Sequence, residues 1–301
     1  MKSIRPADVS ARDFYSYMVG AVVPRPIAFV SSISAEGRVN LSPYSFFNAV
    51  SAKPPILIFA PVNSMRDGST KNTLDYVLEH DEVVINIVNH TMLEQMSLAS
   101  TAYPKGVNEF AKSGLTEAAS QLVKPPRVAE SPVAFECKVK QVIPLGDEGG
   151  AGNLVICEVL LVHIHEEVLD EKGNIHPQKL NAIGRMGGSF YCRASGDAVF
   201  EVIRPIKEHG IGVDQLPEAI RKSSILTGSN LAKLATVAAI PDLDHVQRYA
   251  EDSEIQRTLK QYSTDSRQLT EAIHRLAQQY LDKGDTDKAW GALILALEHT
   301  K

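Results

Sequence analysis

The chain has 301 residues, of which 44% are hydrophobic and 22% are charged, a composition typical of soluble globular proteins. This length is enough for one large domain or two. The net charge of −5 argues against a general nucleic-acid binder, and no apolar run approaches the roughly 18 residues that a membrane span needs. The N-terminus lacks the apolar stretch of a secretion signal. We therefore expect a cytoplasmic protein that binds neither nucleic acid nor membranes.

The cysteines agree with a reducing compartment. There are three, an odd number, and none of them form a CxxC pair, so the sequence gives no sign of a disulfide framework. Cys137 and Cys157 lie inside apolar strand patterns, where a thiol usually behaves as a small hydrophobic side chain. We expect both to be buried.

Strand patterns dominate the first two thirds of the chain. A short lead-in helix is expected around residues 14–19, and the Gly-rich run at 146–153 predicts a hairpin loop. Few strands alternate with full-length helices, so an antiparallel barrel with peripheral helices fits better than a doubly wound parallel sheet. Strands are predicted at 27–33, 39–50, 56–60, 83–88, 133–143 and 154–165, and helices from 69 or 70 to 78 and from a capping box at 91–94 to 98.

The pattern changes to helical periodicity after about residue 200. We predict two domains, residues 1–200 and an α-helical C-terminal extension at 201–301. The last two helical patterns resemble a single tetratricopeptide-type pair, but one pair cannot bury its own apolar face. An appendage packed on the barrel or on a partner subunit is therefore favoured over a peptide-binding array. Helical patterns occupy 230–239, 243–252, 253–262, 266–281 and 286–298.

One predicted hairpin combines small hydrogen-bonding groups with aromatic rings. Its second strand carries the sequence NLSPYSFFNAV at residues 40–50, which follows the apolar strand 27–33 and a Gly-containing turn. Hydroxyl and amide groups among free backbone N–H groups suit a phosphate, and neighbouring aromatic rings suit a flat ligand. An ordinary hairpin with a polar loop remains the alternative.

Several short segments follow this hairpin in a set order. They are KPP at 53–55, KNT at 71–73, VVINIV at 83–88, EF at 109–110, SPVAFEC at 131–137, EV at 158–159 and RMGGSFY at 185–191. Together with the hairpin they resemble the flavin reductase-like family of FMN-binding split β-barrels over residues 15–195. The resemblance implies a mainly β fold with helices, FMN as cofactor, NADH or NADPH as hydride donor, an electron acceptor that the sequence does not identify, and a homodimer.

The resemblance also indicates which residues hold the FMN phosphate. Lys71 and Thr73 stand at a predicted helix N-terminus, whose free N–H groups and dipole favour anions. Arg66 is a second candidate cation, and Ser45 and Asn48 follow from the hairpin. Asn72 occupies a position that is usually acidic in the family, which makes the match looser. In the alternative interpretation, Thr70 and Thr73 only cap the helix and Lys71 is solvated.

Other side chains are candidates for the ribityl chain and the flavin ring. Asn40 and Ser42 share one strand face, whereas Phe46 and Phe47 alternate, so we expect one ring to face the cofactor and the other to enter the core. Arg185 and Tyr191 flank two glycines in a segment expected to close the site from the partner subunit. A plain turn is the alternative for that segment.

No catalytic acid–base residue and no metal site is predicted. His163 and His165 share one strand face, but they lack a nearby third ligand and are interpreted as facing solvent or an interface. There is no G-x-G-x-x-G after a strand, so a nicotinamide nucleotide must bind without a Rossmann domain. Two alternatives to the reductase stay open: a flavoredoxin-like electron carrier, and a ligand-binding or interaction module.

Overall fold

The computed structural model describes residues 1–202 and 209–299. They divide into two compact units, Met1–Phe200 and Glu201–Lys301. The first unit contains the β-sheets and five of the helices; within residues 209–299, the second unit contains helices and no strand. The mainly β fold with a helical C-terminal part, predicted from sequence, is confirmed.

The first unit is built on a seven-stranded sheet in which every neighbouring pair is antiparallel. Its members are β1 (Ala28–Ile33), β2 (Val39–Tyr44), β3 (Phe47–Ala52), β4 (Pro55–Phe59), β5 (Glu82–Ile87), β8 (Val133–Pro144) and β9 (Asn153–Ile164). Two small sheets pair β6 (Glu117–Ala118) with β7 (Arg127–Val128), and β10 (Ile183–Arg185) with β11 (Tyr191–Arg193).

The large sheet curls back on itself. Its strand order is β2-β1-β5-β8-β9-β4-β3, so β2 and β3 are the two edges. A flat sheet of this width would hold its edges about 29 Å apart. Only Ser45 and Phe46 join β2 to β3, and a link of that length spans roughly 11 Å at most. The edges must therefore approach each other, which is the geometry of an incompletely closed barrel.

Along β1 and the residue before it, alternate side chains face two different cores. Ala28 and Val30 belong to the cluster inside the barrel, whereas Ile27 and Phe29 pack with the helices outside it. A strand buried on both faces reads as a continuous apolar run, as residues 27–30 do. Cys137 and Cys157 are buried in the inner cluster, as expected.

The helices of the first unit lie around this barrel. The predicted capping box at the start of the third is absent, because the Thr91 hydroxyl donates to the Asn89 side chain and no side chain caps Leu93. The five helices are α1 (Ala11–Ala21), α2 (Asn72–Glu79), α3 (Leu93–Ala99), α4 (Glu109–Ser113) and α5 (Pro177–Leu180).

The second unit has its own core around Trp290, which is fully buried. The helices predicted at 230–239 and 243–252 are shorter than expected. No helix within residues 1–202 and 209–299 has the length and apolarity to cross a bilayer. The helices are α6 (Glu218–Arg221), α7 (Gly228–Leu234), α8 (Leu243–Val246), α9 (Ser253–Gln261), α10 (Ser266–Asp282) and α11 (Thr286–His299).

Two sequence-based expectations about strands need correction. The strand predicted at 39–50 is two strands separated by a bend at Ser45 and Phe46. His163 does not face solvent: its Nε2 lies 2.6 Å from an oxygen of the fully buried Glu136. The neighbouring Val162 is 41% exposed.

Candidate functional site

A polar pocket of about 230 Å³ lies where the end of β2, the start of α2 and the loop after α3 meet. Most of its lining side chains carry hydroxyl, amide or charged groups. The lining residues are Asn40, Ser42, Tyr44, Ser64, Arg66, Ser69, Thr70, Lys71, Asn72, Thr73, Ala99, Ser100, Thr101, Ala102, Tyr103 and Glu109.

The N-terminus of α2 opens into this polar pocket without a side-chain cap. The Thr70 hydroxyl donates to Asp75 at 2.7 Å, and the Thr73 hydroxyl accepts from the Asn40 amide at 2.7 Å. Both hydroxyls are therefore committed elsewhere, and neither threonine caps the helix. Within the described residues the N–H groups of Asn72 and Thr73 have no hydrogen-bond partner. Free N–H groups at a helix start attract an anion.

Two cations stand beside this helix end. Lys71 is exposed and forms no ion pair in the part of the chain that the structure describes. The Arg66 side chain is 90% exposed and lies 3.5 Å from Asp67. The Asp67 carboxylate also accepts from the Ser69 hydroxyl and N–H, and these bonds hold its pKa well below the usual range. Lys71 thus remains available to an anionic group in the polar pocket, whereas Arg66 shares its charge with Asp67.

The floor of the polar pocket contains three buried polar side chains, which differ in their hydrogen bonding. Asn40 is 3% exposed and donates to Ser32 and Thr73. The Tyr44 hydroxyl is buried and forms no hydrogen bond within the described residues, although the hydroxyls of Thr73 and Ser42 lie nearby. Burial raises its pKa to about 12, and those two hydroxyls oppose this shift. Burial also raises the pKa of Glu109, whose carboxylate accepts from the Leu41 N–H at 3.0 Å.

A second, smaller hollow of about 190 Å³, here called the side pocket, adjoins the first, because Ser100 lines both. The Arg185 guanidinium lies 4.5 Å from the centre of the Tyr191 ring and donates to the Gly188 carbonyl. These two residues face each other across the β10–β11 hairpin. The side pocket is lined by Ile27, Pro43, Ser45, Met96, Ser100, Arg185 and Tyr191.

Arg25 forms hydrogen bonds to three segments around the side pocket. It is 7% exposed and donates to the carbonyl oxygens of Val19 and Val22 at the end of α1 and to that of Met186 after β10. Its Nε also donates to the Ser45 hydroxyl at 3.4 Å. Burial lowers the pKa of Arg25. The sequence analysis did not select this residue, since a lone arginine between two prolines gives no signal of burial.

The structure gathers most, but not all, of the residues selected from the sequence. Phe46 lies in the bend, with its ring edge-on to Tyr15, and Phe47 packs against the barrel core. Asn48 is exposed, and its side-chain oxygen accepts from the Ala49 N–H. These three line neither pocket. The polar pocket contains Asn40, Ser42, Arg66, Lys71 and Thr73, and the side pocket of the same chain contains Ser45, Arg185 and Tyr191.

Sequence reasoning missed several lining residues. Tyr44 was read only as an aromatic neighbour, and Glu109 only as part of a two-residue segment. Ser100 and Thr101 end α3 at a run of small polar residues, which was the available signal. Because they are far from β2 along the chain, the sequence did not show that they lie beside it in the polar pocket.

Residues 19–184 match the flavin reductase like domain, which is more than half of the chain. The chain belongs to the flavin reductase-like family. An uncharacterized protein of Aquifex aeolicus is 39% identical over 188 residues, covering 62% of this chain and 93% of that protein. The resemblance recognised from the sequence is thus confirmed.

Two solved structures of this fold are also similar. Component B of nitrilotriacetate monooxygenase from Bacillus cereus is 31% identical with a TM-score of 0.63, over 67% of this chain and 98% of that one. The 2-nitrobenzoate 2-nitroreductase of Pseudomonas fluorescens is 29% identical with a TM-score of 0.59, over 67% and 96% of the two chains. The first unit is thus a split barrel of this family, with oxidoreductases among its structural neighbours. The helical unit lies outside the residues that match the family domain.

Proposed function

We propose that this protein is an FMN-dependent oxidoreductase that oxidises NADH or NADPH and passes the electrons to an acceptor. The observation that carries the proposal is the uncapped start of α2, flanked by Lys71 and Arg66, in the pocket that adjoins the side pocket. An anion site beside a partly apolar hollow matches a ligand with a phosphate at one end and a flat ring at the other. Membership of the flavin reductase-like family supports a flavin as that ligand.

The phosphate is assigned to the start of α2. The free N–H groups of Asn72 and Thr73 offer backbone hydrogen bonds, and the helix dipole favours negative charge there. Lys71 and Arg66 add charge-assisted donors, and the Ser69 hydroxyl lies on the same wall. This assignment favours FMN over riboflavin, which has no phosphate.

The polar ribityl chain is assigned to the floor of the polar pocket. Tyr44 tests whether the pocket fits such a chain, because its buried hydroxyl forms no hydrogen bond within the described residues. A buried hydroxyl without a hydrogen bond is costly, by about 1–3 kcal/mol. A ligand with several hydroxyl groups would satisfy it, with Ser42 on the same wall as a second partner. The residues present therefore fit the group.

The flavin ring is assigned to the side pocket. Ile27, Pro43 and Met96 provide apolar contact there, and Tyr191 provides an aromatic face. Bound FMN supplies the hydride-accepting and electron-donating chemistry, so the protein need only position the two reactants and stabilise charge. Arg185 is the cation available in this hollow for that purpose.

Two kinds of acceptor deserve testing. One similar structure is named as one component of a monooxygenase, which favours transfer of electrons to a second protein. The other is named as a nitroreductase, which favours direct reduction of a small nitroaromatic compound. A flavoredoxin-like carrier, which exchanges electrons only with protein partners, is the remaining alternative.

The proposal includes a homodimer. Leu160 and Val162 on β9 are 43% and 41% exposed. Val50 on the edge strand β3 is 53% exposed. Exposed aliphatic residues on long strands favour an interface between copies. Light scattering coupled to size-exclusion chromatography tests this: a dimer mass supports it, and a monomer mass at micromolar concentration removes it from the proposal.

Steady-state oxidation of NADH and of NADPH, each with and without added FMN, tests the activity. We expect FMN-dependent oxidation of at least one nucleotide. Tightly held FMN with no oxidation of either would replace the reductase with an electron carrier. A chain that neither binds FMN nor oxidises either nucleotide would leave only the binding-module interpretation.

A further inference from the structure

The helical unit contains a pocket of its own that the flavin chemistry does not use. Its volume is about 340 Å³, within the range of roughly 300–1,000 Å³ found for small-molecule sites. It is bounded by α6, α10 and α11, whose residues lie beyond the family domain. We call it the helical pocket; it is lined by Ala219, Ile220, Ser266, Arg267, Thr270, Ile273, His274, Leu293, Ala296 and Leu297.

His274 is the buried polar side chain in this wall. It is 5% exposed, and its Nδ1 lies 2.7 Å from the Ser223 hydroxyl oxygen. That oxygen already accepts from the N–H groups of Ile225 and Leu226, at 3.1 Å and 3.0 Å. Because its lone pairs are engaged, Ser223 donates its proton to Nδ1. The proton of the neutral imidazole is therefore on Nε2.

The Nε2–H group is a donor without a partner in the described residues, on a side chain that lines the helical pocket. Burial lowers the pKa of His274, which favours the neutral imidazole in which Nε2 is a single-proton donor. A buried donor beside aliphatic side chains selects for a hydrogen-bond acceptor on the ligand.

The remaining lining indicates the rest of that ligand. Ile220, Ile273 and Leu293 are buried aliphatic side chains. Arg267, whose side chain is 89% exposed, places a cation on the solvent side and lies 3.4 Å from Glu271. An acceptor group with a negative charge would accept a hydrogen bond from His274 and be attracted by the Arg267 charge. An aliphatic chain would pack against the three aliphatic side chains.

We propose that the helical pocket binds a small aliphatic carboxylate, with its carboxylate accepting from His274 Nε2–H near Arg267 and its chain against Ile220, Ile273 and Leu293. This site is separate from the proposed flavin site in its residues and in its chemistry.

Isothermal titration of the full-length protein with octanoate tests the proposal. We expect saturable binding at one site per chain. Acetate keeps the carboxylate and 1-octanol keeps the chain, so each alone should bind at least tenfold more weakly. His274→Phe, which keeps the ring volume and removes both nitrogens, should weaken octanoate binding at least tenfold.

Arg267→Gln provides a second variant in case His274→Phe fails to fold. Its side chain is exposed, so we expect octanoate affinity to fall roughly two- to fivefold with unchanged folding. Arg275→Gln is the matched control, since Arg275 is an exposed arginine on the same helix outside the pocket. The proposal is overturned if octanoate fails to bind at millimolar concentration, or if Arg267→Gln and Arg275→Gln have equal effects.

Discussion

At the scale of single residues, the polar pocket contains side chains that the protein satisfies by itself and side chains that it does not. Asn40 and Thr73 bond to each other, so they shape the wall and keep it rigid. Lys71 has no ion pair in the described structure, and Tyr44 has no hydrogen bond. The unsatisfied groups are the ones on which a bound ligand should depend.

Removing the Lys71 charge should weaken phosphate binding selectively. Lys71→Ala should reduce FMN affinity about tenfold, the usual scale for a charge-assisted hydrogen bond. Riboflavin affinity should stay unchanged, because that ligand lacks the phosphate. Flavin fluorescence quenching measures both constants. Lys53→Ala is the control, since Lys53 is exposed in the β3–β4 turn outside both pockets. Equal losses for FMN and riboflavin would contradict the assignment.

Tyr44→Phe separates stability from binding. The hydroxyl that it removes is buried and forms no hydrogen bond in the described part of the chain, so the ligand-free variant should be as stable as the wild type, or more stable by up to about 1 kcal/mol. FMN should stabilise the variant less than the wild type, because the ligand loses a hydrogen bond. Thermal unfolding with and without FMN measures both effects. A large loss of stability in the ligand-free protein would show that the hydroxyl is already bonded.

At the scale of elements, one buried carboxylate holds an irregular segment against the barrel. Glu136 on β8 is fully buried and accepts from the N–H groups of Gln121, Leu122 and Val123. Burial acts to raise its pKa, but the bonds from Gln121, His163 and Leu122 outweigh this and lower it. Residues 121–123 thus gain backbone partners that no strand provides.

Glu136→Gln should destabilise the protein by about 3 kcal/mol at neutral pH, since it leaves part of a buried network unsatisfied. The lowered pKa means that the carboxylate stabilises the fold fully above its unfolded pKa of about 4.3. That stability is lost as the pH falls through the lower folded value. Urea unfolding from pH 7 to pH 3 should therefore show a smaller acid loss in the variant.

The matched control is Glu158→Gln on the neighbouring strand β9. Glu158 pairs with Lys140 at a partly exposed site, so its loss should change the free energy of unfolding by less than about 1 kcal/mol. If both variants lower the free energy of unfolding equally, or if Glu136→Gln keeps the full pH dependence of the wild type, Glu136 does not hold residues 121–123 against the barrel.

Local patterns were sufficient to predict most strands and the longer helices. The apolar run 27–30 and the Gly-rich loop 146–153 each reflect forces that act within a few residues. The bend at Ser45 and Phe46 was missed because strand-forming residues continue through it; the turn arises from the curl of the whole sheet. Likewise Lys71 and Arg66 were found from a helix start, whereas Glu109 enters the polar pocket only through the tertiary fold.

At the scale of the whole molecule, each unit has a separate hydrophobic core. The cluster around Trp290 contains only residues after 200, and the barrel clusters contain only residues before it. Whether the extension packs on the barrel or on a partner, as the sequence suggested, remains a prediction. Deleting residues 201–301 tests it: unchanged dimerisation, FMN affinity and turnover would contradict a packing role.

Separate cores predict separate unfolding transitions. The chain has one tryptophan, Trp290, so tryptophan fluorescence reports the helical unit alone. Release of bound FMN reports the barrel. Urea titration of the full-length protein followed by both signals should give two different midpoints. Added FMN should raise the midpoint of FMN release and leave that of tryptophan fluorescence unchanged. Coincident midpoints that FMN shifts together would mean that the two units unfold as one.

The measurement that bears most directly on the account is the visible spectrum of the full-length protein after loading with FMN and removal of free flavin by gel filtration. We predict that the protein retains the flavin absorption band at close to one FMN per chain, and that NADH or NADPH bleaches it without oxygen. A colourless protein that also shows no saturable FMN binding in titration would contradict the proposed function.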